Sequence, residues 1–300
     1  MRVRSCLAIV LFVLVAPLRA APSALVLQTD FGLKDGAVAA MKGVAFGVSA
    51  SLPIFDLSHE NTPYDIWQGA YRLKQAVPYW PKGTVFVSVI DPGVGTERKS
   101  VVVKSKSGHY FVGPDNGTWT WVAEDCGVAM VRQIDETRNR LVGSNKSYTF
   151  HGRDVYVFTG ARLASGAISF DEVGPELPAT VVSLPNTRAT AAPDAVVGSV
   201  AQLDFQYGNV WTNIPDTLFS TLKPALGDRF RVTIKRGDTV IFKEELPYLT
   251  TFGEAKKGEP LLYLNSLLNL SIALNQGDFA RKHHIEAGAD WSVRVEKIAK

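Results

Sequence analysis

The sequence predicts two domains: an α/β domain with a central, largely parallel sheet at residues 21–190, and a small all-β domain at residues 191–300. The apolar, β-branched segment at residues 85–90 has the composition of a strand buried on both faces, as in parallel sheets. Proline, threonine and alanine dominate residues 176–197, where the composition shifts, and this segment is the expected boundary. Beyond it, polar and apolar residues alternate, which favours antiparallel strands.

In the first domain, strands and helices are expected to alternate. The expected strands are residues 24–29, 53–57 and 85–90, followed by a hairpin of residues 101–104 and 110–112. A helix after the first strand is expected through Met41, and another helical stretch should run from residue 149 through Leu163. The helix predicted at residues 63–77 depends on a stripe of apolar side chains at steps of three and four, namely Ile66, Ala70, Leu73 and Val77.

In the second domain, residues 230–234 and 291–296 alternate polar and apolar side chains. This pattern is typical of half-buried antiparallel strands. Either a small barrel or a sandwich would close such a domain around one core.

The strand at residues 85–90 ends abruptly at Asp91, since Pro92 cannot continue a ladder and Gly93 permits a tight turn. Open α/β sheets place ligands at the carboxyl ends of their strands. Arg98 lies seven residues further on, close enough for a turn to bring it back to Asp91. A structural salt bridge and a functional site both fit this spacing, and the cost of a carboxylate at the end of a buried strand favours a site.

Residues 1–20 have the pattern of a secretory signal peptide, because Arg2 and Arg4 precede a short apolar run and Ala20 follows it. The run is too short for a comfortable membrane span, so we expect no stable membrane insertion and a periplasmic or secreted location. The alternative is an uncleaved anchor.

The charge balance argues against nucleic acid as a partner. Of the 32 basic residues, Arg2, Arg4 and Arg19 would leave with the signal peptide, so 29 basic residues would face 29 acidic ones. Cys126 would be the one remaining cysteine, which leaves no internal disulfide. The apolar fraction of 46% is sufficient for a real core.

The segment at residues 90–98, Ile-Asp-Pro-Gly-Val-Gly-Thr-Glu-Arg, resembles the signature of the S-adenosyl-L-methionine (SAM) hydrolases (adenosine-forming), which are related to the SAM-dependent fluorinases and chlorinases. The resemblance covers most of the chain from residue 25 to 277. Its other blocks follow in the family's order at residues 29–32, 41–43, 56–59, 112–117, 149–154 and 207–210.

The resemblance implies a barrel for the second domain and a set of site residues. The implied catalytic residues are Asp91, Arg98 and His151. The implied substrate-binding residues are Asp30 for the ribose hydroxyls, Asp204 and Asn209 for the amino-acid end, Phe252 for adenine, and Ser266. The sequence departs from the family at Ala37, where an aromatic residue is usual, and at Asp278-Phe279.

Purely structural roles are also consistent with the sequence for several of these residues. Asp30 also fits a helix cap, and Asp204 with Asn209 fits an Asx-type turn. Asp115 and Asn116 fit either a site or a turn. The pair His283-His284 is rejected as a metal site, since adjacent side chains diverge on a helix or a strand.

The implied reaction is the attack of water on C5′ of SAM, giving adenosine and L-methionine, without any metal or redox cofactor. The implied assembly is a homotrimer with its sites at subunit interfaces. One alternative is a non-catalytic nucleoside- or SAM-binding protein on the same fold. A halogenase is disfavoured, because those relatives carry Tyr in place of Asp91 and because a carboxylate repels a halide.

Overall fold

The computed structural model describes residues 23–298, and the first half of this range forms a seven-stranded mixed sheet covered by helices. The signal peptide predicted at residues 1–20 lies outside the described residues. The strands of this sheet are β1 (Leu25–Thr29), β2 (Ile54–Ser58), β3 (Val85–Val89), β4 (Ser100–Ser105), β5 (Tyr110–Pro114), β6 (Val128–Gln133) and β7 (Glu176–Leu177).

The strand order is β2-β1-β3-β5-β4-β6-β7. The first four strands in this order are parallel, and β4, β6 and β7 are added antiparallel. The hairpin predicted at residues 101–104 and 110–112 is therefore present as β4 and β5. Because parallel strands end at the same edge of a sheet, the residues that follow β1 and β3 come together there.

Helices pack on both faces of this sheet. They are α1 (Ala37–Val48), α2 (Ile66–Ala76), α3 (Thr120–Cys126), a π-helical segment (Gly152–Val157) and α4 (Phe158–Ala164), with short 3₁₀ turns at Val77–Tyr79 and Phe170–Val173. Helix α1 continues beyond Met41. Helix α2 starts three residues later than predicted, because Tyr64 has a φ of 70° and the Asp65 carboxylate caps the helix by accepting from the Gln68 N–H at 2.9 Å.

Strand β3 lies at the centre of the domain, and all five of its residues are buried. Helix α4 approaches this strand closely at Gly160, where an added Cβ would lie 2.6 Å from Val87 Cγ2. Two apolar clusters fill the spaces on the two sides of the sheet. The strand that leads to Asp91 is thus packed on both faces.

The second half forms an antiparallel, nearly closed barrel. Its strands are β8 (Thr190–Ala192), β9 (Ala195–Leu203), β10 (Val210–Pro215), β11 (Arg229–Arg236), β12 (Thr239–Pro247), β13 (Pro260–Leu264), β14 (Asn269–Leu274) and β15 (Trp291–Lys297). Their order is β12-β11-β15-β9-β10-β14-β13, with β8 beside β9. A bridge between Tyr248 and Leu262 joins the two ends of the series. The predicted all-β, barrel-like domain is confirmed.

Short helical segments complete this domain: the helices α5 (Asp216–Phe219) and α6 (Phe279–His283), and 3₁₀ turns at Ser220–Leu222 and Phe252–Glu254. The two domains touch through α2, where Trp67 Nε1 donates to the Ala201 carbonyl at 2.7 Å. Across residues 23–298, no helix combines the length and apolarity that a membrane crossing requires.

Candidate active site

A cavity of about 380 Å³ opens at the edge of the sheet where β1 and β3 end. Asp30, Asp91 and His151 all line it, together with Phe31, Tyr64 and Phe150. Asp30 directly follows β1, Asp91 lies two residues after the end of β3, and His151 stands at the start of the π-helical segment. The parallel strands of the sheet and the start of the π-helical segment therefore bring residues that are far apart in sequence to the same cavity.

Arg98 reaches back across the glycine turn and pairs with Asp91. Its Nη2 donates to Asp91 Oδ2 at 2.6 Å, and its Nε lies 3.0 Å from each carboxylate oxygen. Both side chains are largely buried, and the ring of Tyr156 lies 5.7 Å from the guanidinium carbon. The spacing of seven residues thus produces a short, charge-assisted pair at the rim of the cavity.

His151 is 6% exposed and faces this pair from another element. Burial is the main cause that lowers the pKa of His151, and the positive charges of Arg98 and Arg140 lower it further. Asp91 and Glu136 oppose this shift. The imidazole is therefore neutral at neutral pH.

Asp30 is positioned by the backbone of the following segment. The Tyr64 N–H donates to Asp30 Oδ2 at 2.8 Å, which leaves Oδ1 without a hydrogen bond from another residue's side chain in the described structure. Burial raises the pKa of Asp30, and the nearby Asp91 carboxylate adds to the rise. At the start of α1, the Ala37 N–H donates to Asp35 Oδ1 at 2.9 Å, whereas the Asp30 carboxylate accepts from the Tyr64 N–H, so Asp30 does not cap α1.

A second, larger cavity of about 950 Å³ lies in the barrel domain. Asp204, Asn209, Phe252 and Ser266 all line it. Asn209 Nδ2 donates to Asp204 Oδ2 at 3.2 Å, and the Gln206 N–H lies 3.3 Å from Asp204 Oδ1, as in an Asx turn. The pair is thus both a turn and part of a cavity wall.

Other walls of this cavity are aromatic or polar. The rings of Phe252 and Tyr263 lie 4.9 Å apart, so Phe252 presents an apolar face beside a second ring. Asp278, where the sequence departs from the family pattern, lines the cavity and caps α6 by accepting from the Arg281 N–H at 2.8 Å.

The two cavities have no lining residue in common. The predicted site residues therefore form two groups within one chain, rather than one site. The first group contains Asp30, Asp91, Arg98 and His151, and the second contains Asp204, Asn209, Phe252 and Ser266.

Residues near the first cavity that sequence reasoning missed are Glu136, Arg140 and Tyr156. The first two belong to the loop after β6, and no motif or spacing in the sequence points to them. Tyr156 is fully buried, and its hydroxyl lies 3.2 Å from Ser100 Oγ. It stands five residues after His151, a spacing that would have placed it near His151 only if the π-helical turn had been foreseen.

Several other polar residues have structural roles. His59 does not line the cavity, and its Nδ1 lies 2.8 Å from Thr29 Oγ1. Asn116 Nδ2 donates to the Ile90 carbonyl at 2.9 Å, and Asp115 Oδ1 accepts from the Val182 N–H, so both stabilise the strand ends. Arg153 pairs with the buried Asp154 at 2.6 Å.

The described residues contain no cluster of three His, Cys, Asp or Glu side chains arranged to hold a metal ion. His283 is instead packed beside Phe242 and Phe279, with ring centroids 4.9 and 4.6 Å away. Cys126 is a free, half-buried thiol.

Comparisons with known proteins match both halves of the chain. Models of the SAM hydroxide adenosyltransferase N-terminal and C-terminal domains match residues 25–174 and 198–292. An (R)-S-adenosyl-L-methionine hydrolase of Methanocaldococcus jannaschii is 40% identical over 221 residues, which is 72% of each chain. A fluorinase of Actinopolyspora mzabensis is 26% identical over 90% of this chain and 96% of its own. A crystal structure of an uncharacterized conserved protein from Thermotoga maritima superposes with a TM-score of 0.83 at 35% identity, covering 91% of this chain and all of that one.

Proposed function

The chain belongs to the SAM hydroxide adenosyltransferase family, and we propose that it is an enzyme that hydrolyses SAM to adenosine and L-methionine. The observation that carries this proposal is the pairing of Asp91 with Arg98 at the rim of the cavity that His151 also lines. Relatives named as SAM hydrolases support it at 34–40% identity.

In the proposed reaction, the oxygen of a water molecule attacks C5′ of SAM. A C–O bond forms while the C5′–S bond breaks, and the electron pair of that bond leaves with sulfur, so that the sulfonium becomes the neutral thioether of methionine. The released proton passes to the side chains that hold the water and then to solvent. Asp91, Arg98 and His151 would position this water in line with the leaving sulfur.

The positive charge of Arg98 favours negative charge that develops on the water oxygen as its proton is lost. Asp30 would accept hydrogen bonds from both ribose hydroxyls, a task that suits an acceptor-only group. No metal or redox cofactor is needed for this displacement, since the sulfonium is already a good leaving group.

Asp204 would bind the substrate ammonium and Asn209 its carboxylate, with Phe252 and Ser266 beside the adenine. Because these residues and Asp91 line different cavities of one chain, we propose a homotrimer in which the first cavity of one subunit faces the second cavity of the next. Each complete site would then contain residues of two chains.

Hydrolysis is favoured over halogenation by Asp91. A carboxylate at the attacking position repels a halide, whereas it can accept a proton from water. The fluorinase relatives are also more distant than the hydrolase relatives, at 26–27% against 34–40% identity.

The remaining alternative is a protein that binds SAM or a nucleoside without turnover. Binding alone does not require a buried carboxylate, guanidinium and imidazole around one cavity, and this arrangement supports the enzyme. We further propose export to the periplasm or medium, on the strength of the pattern at residues 1–20.

The test is chromatography of the products after the mature protein is incubated with SAM in chloride buffer. Adenosine and methionine in equal amounts are expected. A 5′-chlorinated nucleoside would overturn the proposed role of Asp91 in favour of halogenation. Tight binding of adenosine without any product would favour the binding protein.

A further inference from the structure

A second charged cluster lies against His151, on the side of the loop after β6. Glu136 Oε2 accepts from Arg140 Nη2 at 2.6 Å, and the same Nη2 lies 3.4 Å from His151 Nε2. The ring of Tyr148 stacks on the guanidinium of Arg140, 4.6 Å from its carbon. Arg140 is 9% exposed in its side chain, so an acid, a ring and the imidazole together hold a buried arginine in one place.

This contact decides which nitrogen of the imidazole carries the proton. A guanidinium has only donors and stays charged at any ordinary pH. His151 Nε2 therefore has to accept from Arg140, and the proton of the neutral ring sits on Nδ1. Glu136 Oε1 lies 3.8 Å from Nε2, beyond hydrogen-bond distance, so it does not compete as an acceptor.

His151 Nδ1 is buried and has no hydrogen-bond partner within residues 23–298. A buried N–H without an acceptor destabilises the protein, because it has lost its hydrogen bond to water without replacing it. The side chain lines the cavity in which the attacking water is proposed to lie. An oxygen atom supplied by that water would satisfy the donor.

We propose that Arg140, anchored by Glu136, is a positioning residue that fixes His151 as the Nδ1–H tautomer, so that the imidazole donates a hydrogen bond to the attacking water and Asp91 takes its proton. This inference rests on the proposed function. Asp91 remains able to accept, because its Oδ1 accepts only one hydrogen bond, from Arg98 Nε, among the described residues.

Charged and titratable groups face His151 from every element around it. Asp91 and Arg98 lie on the side of β3, Glu136 and Arg140 on the loop after β6, and the phenol rings of Tyr148 and Tyr156 lie 6.5 and 6.2 Å from the imidazole. The two arginines lower the pKa of His151, and the two acids raise it. Removal of Arg140 and removal of Glu136 should thus move this pKa in opposite directions.

The direct test is nuclear magnetic resonance of the mature protein with ¹⁵N-labelled histidine, in which long-range proton–nitrogen correlations distinguish the two tautomers. His151→Gln identifies the signals of His151 among the five histidines. The wild type is expected to show a protonated Nδ1 and an unprotonated Nε2. A protonated Nε2, or an even mixture of tautomers, would overturn the proposal. The result does not depend on activity, so it stands apart from any failure of the proposed hydrolysis.

Arg140→Met removes the donor at similar length, and it should abolish the tautomer preference and lower kcat by about a hundredfold. Arg140→Lys keeps a donor and should retain most of the preference. The matched control is Arg138→Gln, which removes an exposed arginine of the same loop that pairs with Asp135. An Arg138→Gln variant that loses the tautomer preference as fully as Arg140→Met would show a general effect of the loop and overturn the proposal.

The pH profile of kcat provides a readout that a purely structural role would not move in this way. A protonated His151 would place a further positive charge near Asp91 and make that carboxylate a weaker proton acceptor, so kcat should fall as the pH drops through the pKa of His151. Arg140→Lys keeps this acid limb in place, Arg140→Met moves it to higher pH, and Glu136→Gln moves it to lower pH. If the acid limb moved in the same direction in Arg140→Met and Glu136→Gln, the proposal would be contradicted.

Discussion

Arg98 and Asp91 form a buried ion pair in which one guanidinium contacts both carboxylate oxygens, with Nη2 2.6 Å from Oδ2 and Nε 3.0 Å from each oxygen. The side chains are 11% and 5% exposed. Loss of one partner from such a pair leaves the other buried and uncompensated. Substitutions at Asp91 should therefore keep its shape if they are to report on chemistry alone.

Asp91→Asn keeps the shape and an acceptor for Arg98 but removes the negative charge. We expect turnover of SAM to fall by about a hundredfold or more, because the water loses its proton acceptor, while adenosine affinity changes little. Product chromatography and calorimetry measure the two effects. Asp115→Asn is the matched control, since Asp115 also follows a strand end but lies outside the cavity. Equal losses of turnover and of adenosine affinity would contradict the proposed role.

Asp204→Ala should weaken the binding of SAM much more than the binding of adenosine, because only SAM carries an ammonium group. A hydrogen bond to a charged group contributes about 1.5–3 kcal/mol, so we expect a loss of about tenfold to a hundredfold in SAM affinity. Binding of both ligands can be compared by calorimetry on an Asp91→Asn background, which prevents turnover. Asp238→Asn, in the turn between β11 and β12, serves as control. If the affinities for SAM and for adenosine fall by the same factor, Asp204 does not contact the methionine end of the substrate.

Asp30→Asn should stabilise the ligand-free protein at neutral pH, and it should weaken the binding of adenosine. Burial raises the pKa of Asp30 above 3.8. A raised carboxyl pKa stabilises the fold while the group is protonated, and this contribution is lost as the pH rises through the folded-state pKa. The gain at neutral pH should stay below about 1 kcal/mol, because Asp30 is only half-buried. Thermal unfolding at pH 7 and near pH 3 measures it, and a gain that persists at the acidic pH would refute the explanation.

Mixed assemblies of two impaired variants test the shared site. Asp91→Asn damages only the first cavity, and Asp204→Ala damages only the second. When both variants are co-expressed, about a quarter of the interfaces in a cyclic trimer should join two intact halves. We therefore expect about a quarter of wild-type activity at SAM concentrations below KM. Activity no higher than the average of the separate variants would place each site within one chain.

Two glycine substitutions of the same kind should change stability in opposite directions. In Gly160→Ala the new Cβ would lie 2.6 Å from Val87 Cγ2, and overpacking typically costs about 1–3 kcal/mol. In Gly43→Ala, within α1, nothing lies within 4 Å of the new atom, and helix propensity should add about 0.5–1 kcal/mol. Chemical denaturation measures both, and equal signs would be inconsistent with this account of α4 packing.

Local patterns were enough to predict the framework around the first cavity. The run at residues 85–90 gave β3 because a strand buried on both faces needs apolar, β-branched residues throughout. The turn at Pro92 and Gly93 made the pairing of Asp91 with Arg98 foreseeable, since both lie on one short loop. The alternation at residues 230–234 and 291–296 similarly identified β11 and β15.

What the sequence did not reveal depends on contacts between distant segments. Arg140 meets His151 only because the loop after β6 folds over the start of the π-helical segment, and no periodicity records that. The predicted first residue of α2 was wrong, because the spacing of apolar side chains contains no information about the positive φ of Tyr64. The separation of the predicted residues into two cavities follows from how the domains dock, which lies beyond any local pattern.

The π-helical segment at Gly152–Val157 sets the rotational phase between His151 and α4. A π-helical turn contains more residues than an α-helical turn, so it acts as a one-residue insertion that α4 does not share. Deletion of one residue from this segment would restore an α-helix and turn everything before it by about 100° relative to α4. His151 would then point away from the cavity although every proposed catalytic side chain was still present. The extra residue in the π-helical turn is therefore as necessary to the proposed site as the side chains themselves.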